Sequence, residues 1–170
     1  MRWQDIDQQP CSVARSLAII GDNWTLLVLR DCFLGVRRFD DFQQRLGVTR
    51  HVLSDRLRKL TEGGILDKVA YQQRPVRHEY RLTSMGRDLY PVIVHLAQWG
   101  DQYLADDHGA PLTRIHKQCE HTLQAQLHCS HCGETVAAQD IRVEENAHWK
   151  GKILMNNQGS LHQPLLHQDC

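Results

Sequence analysis

Over the first hundred residues, apolar side chains recur three and four positions apart, the spacing that lines one face of an α-helix. After Pro10 the spacing is held by Val13, Leu17 and Ile20. Proline suits the first turn of a helix, where its missing N–H is not needed, so a short helix is expected there. Gly21 breaks it, and Asp22 or Asn23 can cap the next helix, along which Trp24, Leu27, Val28 and Cys32 repeat until Gly35. A third helix is expected over residues 38–46, with Phe39, Phe42 and Leu46 on one face and Gly47 at its end. A fourth follows at once. Thr49 is a suitable N-cap, Val52, Leu53, Leu57 and Leu60 form the stripe to be buried, and Gly63 and Gly64 end the helix. Two helices joined by a tight glycine-containing turn make a helix-turn-helix.

The period then changes. Residues 66–71, with β-branched and aromatic content, and 78–82 read as two strands around a polar loop, a hairpin in the position of a wing. Thr83 and Ser84 start what reads as one long helix with Leu89, Val92, Ile93, Leu96 and Trp99 as its apolar face and Pro91 near its beginning. The fold class is therefore mainly α with a small β-wing, a winged helix-turn-helix over residues 10–106. Past Pro111 the chain turns rich in His and Cys and poor in apolar runs, which places a small Cys/His-rich hairpin module at 112–142. Residues 143–170 read as a polar tail.

Composition narrows the class. Hydrophobic residues make up 41% and charged residues 24%, values of an ordinary folded domain. No apolar run approaches the roughly 18 residues of a membrane span, and the N-terminal residues lack the apolar core of a secretory signal, so a cytoplasmic protein without membrane contact is expected. The chain is neutral overall, with 20 basic and 20 acidic side chains. Residues 24–88 nevertheless carry thirteen Lys or Arg against eight Asp or Glu. A basic segment inside a neutral protein is the pattern of local phosphate contact.

The sequence resembles the HxlR family of winged helix-turn-helix regulators, relatives of the MarR group. The resemblance rests on Cys11 followed by VARSLAIIGDNWTLLVLRD, then GVRRFDDFQ, VTRHVLSDRLRKLTEGGI, PVRHEYRLTSMGR and AQWG at 97–100, in family order over about residues 10–105. It implies a sequence-specific transcriptional regulator, not an enzyme, that binds double-stranded DNA as a homodimer. The dimer would be built from N- and C-terminal helices and would present two recognition helices and two wings to a pseudo-palindromic operator. It also implies an inducer of some kind, a small molecule or an oxidant; some members sense oxidants or electrophiles through a cysteine near the N-terminus, the position Cys11 holds here.

A helical wheel of residues 49–60 puts Leu53, Leu57 and Leu60 on one side and His51, Ser54, Asp55, Arg58 and Lys59 on the other. The N-terminal part of a recognition helix enters the major groove, so Thr49, Arg50, His51 and Ser54 are expected at base edges and Arg58 and Lys59 at phosphates. An ordinary solvated helix face is the competing reading of the same residues. Arg56 points nearer the core and either bonds an acid such as Asp31 or Asp40 or reaches DNA. Arg74, Arg77 and His78 surround Pro75 in the wing, a rigid basic tip suited to minor-groove or backbone contact, against the alternative of a merely solvated hairpin.

The six cysteines, 11, 32, 119, 129, 132 and 170, are expected to be reduced, metal-binding or redox-active. Cys11, at a predicted helix start with Arg15 four residues on, has the surroundings of a reactive thiolate; equally, beside Val13 and Leu17, it fits an inert core position. Cys32 reads as core, and so do Trp24, Leu27 and Val28. His116-x-x-Cys119 and Cys129-x-x-Cys132-Gly133 are two half-sites whose spacing suits tetrahedral zinc, with His121, His128 and His131 as rival nitrogen ligands. Relatives commonly carry Gly after the first Cys, where this chain has Glu120. An unmetallated pair of dithiol turns is the alternative. Two other functions stay open at this point: a thiol redox protein using Cys129 and Cys132, and a winged-helix module that binds protein instead of DNA.

Overall fold

A computed structural model describes residues 3–148; of the expected tail, residues 149–170, Cys170 among them, lie outside the described residues. Asp22 opens helix α2 (Asn23–Phe33) by accepting the N–H groups of Trp24 and Thr25 at 3.0 and 3.2 Å. Two of the N–H groups that a helix start leaves without partners are thereby satisfied. Helix α1 (Ser12–Ile20) precedes it, and a 3₁₀ turn over Trp3–Gln8 precedes α1. Pro10 lies before α1 and not in its first turn, and Cys11 is the N-cap residue. Helix α3 (Phe39–Leu46) ends at Gly47, whose φ of 66° lets the chain reverse into α4 (Arg50–Glu62) within three residues.

Helix α4 is bounded as its sequence predicts. Thr49 Oγ1 accepts the Val52 N–H at 3.4 Å. At the other end Gly64 is left-handed, φ 71°, its N–H reaching Thr61 C=O at 3.1 Å while the Ile65 N–H reaches Leu60 C=O at 2.9 Å, the paired bonds of a Schellman cap. Leu53, Leu57 and Leu60 are buried against Val28, Leu29 and Phe42. Burial of each contributes about 1.5–3 kcal/mol, which fixes α4 rotationally and turns His51, Ser54, Arg58 and Lys59 outward. Val52, expected in the same stripe, is only half-buried.

Strands β1 (Leu66–Gln73) and β2 (Val76–Leu82) form the wing, each longer toward the tip than expected. They pair antiparallel from Leu66 with Leu82 to Gln73 with Val76, with an irregularity at Tyr71. The linker between α2 and α3 joins this sheet: Arg38 bridges Glu79, and the Tyr80 N–H donates to Arg37 C=O at 2.8 Å. The wing sheet is thus tied to the helix-turn-helix at residues 79–80 of β2.

The long helix expected from residue 84 is two helices, α5 (Ser84–Arg87) and α6 (Tyr90–Tyr103). Pro91 has no N–H for the carbonyl of Arg87, and its ring would clash there; it sits instead in the first turn of a new helix. Only part of the expected apolar face is covered. Leu89 and Ile93 pack on the core and Val94 is buried, while Val92, Leu96 and Trp99 are about half exposed. On α1, likewise, Ile20 is buried but Val13 and Leu17 face outward.

Beyond α6, β3 (Ile115–His116) and β4 (His121–Thr122) make a minimal hairpin. The segment is tied to α6 by Gln98, which both donates to Ala125 C=O at 3.1 Å and accepts from its N–H at 2.7 Å, and by the Arg114–Asp101 ion pair at 3.2 Å.

Candidate nucleic-acid interface

Thr49, Arg50, His51, Ser54, Arg58 and Lys59 are all exposed; Arg50 opens toward the wing, Ser54 and Arg58 lie beside Lys68 and Tyr80, and Lys59 lies on the side of α4 that meets α1. The first turn of α4 adjoins the wing across a cleft of about 500 Å³, lined by Arg50, Arg77 and His78 together with Arg38, Phe39, Asp40, Asp41, Tyr71 and Val76. Arg77 is exposed, His78 is half-buried, and Arg74 is exposed at the tip. Of the predicted helix and wing residues, Arg50, Arg77 and His78 are brought around a common opening, which the others do not line.

Several of these cations already have protein partners. The Arg50 guanidinium lies 3.2 Å from Asp40, 3.1 Å from Gln43 Oε1 and 4.6 Å above the Phe39 ring. Its side chain and that of Asp40 are both largely exposed, a setting in which an ion pair contributes little, so the pairing aims Arg50 without committing it. Arg58 bonds Asp55 one turn back and Glu62, at 3.2 Å, one turn on. Partial desolvation alone would raise the Asp55 pKa, but the Arg58 hydrogen bond and the charges of Lys59, Arg56 and Arg58 outweigh it and hold the carboxyl below its ordinary value. Any phosphate that takes Arg58 must compete with these two carboxylates.

Arg56 is the inward-leaning residue expected, with different partners. It pairs with Asp22 at 2.9 Å and Asp55 at 2.8 Å, not with Asp31 or Asp40. Asp31 is fully buried and bonded by Arg30 and Arg45, and Asp40 pairs with Arg50. Arg56 thus locks the cap of α2 to α4.

Arg38 and Tyr71 enter the cleft unannounced by helical or strand spacing, the Arg38 guanidinium lying 4.8 Å over the Tyr71 ring. The available signal was the Arg37–Arg38 pair just before α3; its bridge to Glu79 could not be seen in the sequence.

The cysteines divide into distinct surroundings. Cys32 is core as expected, half-buried by area, and burial pushes its thiol pKa up to about 12, with the Asp31 charge adding to the effect. Cys11 is half-buried at the N-cap of α1, its side chain making no cap bond, and the Arg15 guanidinium lies 3.5 Å from the Ser12 hydroxyl. His116 Nδ1 lies 3.2 Å from Cys119 Sγ. The backbone N–H groups of Cys132 and His131, aided by the Cys132 side chain, lower the Cys129 thiol pKa. The two half-sites remain two pairs: among the described residues no group of three or more His, Cys, Asp or Glu is gathered into a metal-ligating set. No described helix is long and apolar enough to cross a membrane.

Comparison with known proteins agrees with this geometry. The model of the HxlR-like helix-turn-helix family matches residues 19–108. Rv3095 of Mycobacterium tuberculosis H37Rv, an uncharacterised HTH-type transcriptional regulator, is 46% identical over 142 residues, 84% of this chain and 90% of its own length. The crystal structure of PA1607, a candidate transcription factor, superposes with a TM-score of 0.75 at 35% identity over 82% of this chain and 98% of that one. The redox regulator HypR in its reduced form matches with a TM-score of 0.51 at 31% identity, over 54% of this chain and 92% of its own.

Proposed function

The chain belongs to the HxlR-like helix-turn-helix family and is a transcriptional regulator rather than an enzyme, and from that premise we propose how it reads its operator. The observation that carries the reading is the exposed first turn of α4, whose Arg50 shares a cleft with Arg77 and His78 of the wing. The N-terminal turn of α4 enters the major groove, where Thr49, Arg50, His51 and Ser54 meet base edges, while Arg58 and Lys59 bond phosphates. Arg74, Arg77 and His78 follow the backbone or the minor groove alongside. An arginine freed from Asp40 gains a bidentate acceptor on guanine, and the exposed Arg50–Asp40 pair is weak enough to yield.

The working unit is a homodimer on a pseudo-palindromic site in the cytoplasm. Val13 and Leu17 on α1, with Val92, Leu96, Trp99 and Tyr103 on α6, leave apolar surface that a second copy would cover. Two copies related by a two-fold axis place two α4 helices on successive major grooves. The inducer is an oxidant or electrophile that acts on Cys11, whose half-buried position at a helix start keeps it reachable; that a structural relative is a redox regulator supports this choice of signal.

The test is titration of the protein against the promoter region beside its own gene at several salt concentrations. Specific binding that weakens steeply with salt is expected from phosphate contacts by several Lys and Arg. A protein with no affinity for any DNA would leave the protein-binding winged helix as the better reading.

A further inference from the structure

We propose that His116, Cys119, Cys129 and Cys132 bind one zinc ion, which draws two matching turns together and holds residues 115–136 in place. The two half-sites are the same turn built twice. In the first, the Glu120 N–H donates to His116 C=O at 2.8 Å, and Glu120 is left-handed with φ 58°. In the second, the Gly133 N–H donates to Cys129 C=O at 2.8 Å, and Gly133 has φ 78°. Each turn is clamped by short antiparallel pairing, His116 with His121 and His128 with Thr135. Sequence spacing named both half-sites, although Glu120 stands in the first where Gly133 closes the second; the backbone shows that the first turn is formed all the same.

A turn of this kind presents its first and fourth side chains on one side. The separation of 3.2 Å between His116 Nδ1 and Cys119 Sγ is close to that of two ligands on one ion. At the second turn Cys129 and Cys132 hold the same first and fourth positions that His116 and Cys119 hold in the first. Glu120 is the positive-φ non-glycine residue among those described, a conformation that L side chains adopt reluctantly and that the surroundings must enforce.

Apart from the ties of Ala125 to Gln98 and of Arg114 to Asp101, the segment has little packing to enforce it. Ile115, Leu123 and Leu127 are each more than 40% exposed, and among the described residues none of the buried core lies beyond Val94. A piece of chain this small without a core takes its folding energy from a metal or a covalent link. The two pairs stand apart in the structure, so the ion must bring them together; the nine residues between Cys119 and Cys129 form a link long enough to allow it. Three thiolates and one imidazole complete a tetrahedral structural site, and binding releases the three thiol protons to solvent. His121 and His128 are weaker rivals, since their Nδ1 atoms contact the carbonyls of Cys119 and Gly133 at 2.5 and 3.1 Å and so serve the turns themselves.

The test measures zinc per chain in full-length untagged protein purified without chelator, then the visible spectrum after exchange with cobalt(II). About one zinc per chain, with tetrahedral cobalt bands and thiolate charge transfer, is expected. Cys129→Ser combined with Cys132→Ser should lose the metal and the amide protection of residues 115–136 while α1 to α6 keep theirs. Glu120→Gly, which removes the backbone strain, should hold zinc several-fold more tightly against a competing chelator. Protein that stays metal-free when supplied with zinc, octahedral cobalt, or metal retained in the double variant each overturns the proposal. Should the double variant not fold, a Glu120→Gly affinity equal to or below that of the parent overturns it independently.

Discussion

The Asp31 carboxylate, with no solvent exposure, accepts Arg45 Nε at 3.2 Å across the junction of α2 and α3, and Arg30 bonds the same group from its own helix. A buried charge is tolerated only while paired, so the two arginines act together as its counter-charge. Arg45→Ala is expected to destabilise by about 1–3 kcal/mol, because Arg30 remains, and Arg30→Ala with Arg45→Ala by about 3–5 kcal/mol. Urea unfolding reads both. A double variant as stable as the parent would mean that Asp31 is solvated in a way its burial does not suggest.

Base readers and phosphate contacts should separate. Arg50→Ala and His51→Ala are expected to lose about 1–3 kcal/mol on the operator and to relax base preference, while Lys59→Ala weakens all duplexes alike and lowers the salt slope. Anisotropy titrations on operator and scrambled duplexes distinguish the two classes. Unchanged operator preference in both Arg50→Ala and His51→Ala would remove the first turn of α4 from the major groove.

Asp40 gives a finer check. It holds Arg50 at 3.2 Å, and the pair is exposed, so Asp40→Ala should leave thermal stability within about 1 kcal/mol of the parent. It should also raise affinity for duplexes of any sequence, because a nearby negative charge is gone. A loss of affinity would show that Asp40 has to aim Arg50 rather than merely compete for it.

Trp99, at 54% exposure, and Leu96 mark the uncovered side of α6. Leu96→Glu with Trp99→Glu places two charges at the centre of the expected dimer contact. Sedimentation should show monomers, with operator affinity reduced far more than affinity for a half-site duplex. Dimers of undiminished strength would locate the contact elsewhere.

The two N-terminal cysteines should respond oppositely to chemistry. A thiol with a pKa near 12 is thiolate in only about one molecule in ten thousand at pH 8, so Cys32 should resist alkylation until the protein is unfolded. Cys11 should carry the response to oxidant: quinone or peroxide alters operator affinity in the parent and not in Cys11→Ser. Equal responses in both proteins would take Cys11 out of the signal, leaving DNA recognition as described.

Helix α4 was legible from end to end, because each of its determinants is local. Thr49 bonds an N–H three residues on, Gly64 supplies a positive φ within the cap, and three leucines at helical spacing need only an apolar neighbour of any kind. The fold class, the hairpin and the exposed side of the recognition helix followed from such short-range rules and from the family resemblance. What lies between elements did not follow. Arg56 could be read as leaning inward, but its choice of Asp22 over Asp31 or Asp40 depends on how α2 and α4 cross. Arg38 reaches the wing only because residues 37–38 bridge residues 79–80, a pairing some forty residues away in sequence. Periodicity marked Val13, Leu17, Leu96 and Trp99 as apolar without saying whether this chain or another covers them. Helical spacing is set by bonds four residues apart and is written in the sequence; which charge meets which, and which apolar face is left over, is set by the packing angles of whole elements, so only the tertiary structure decided it.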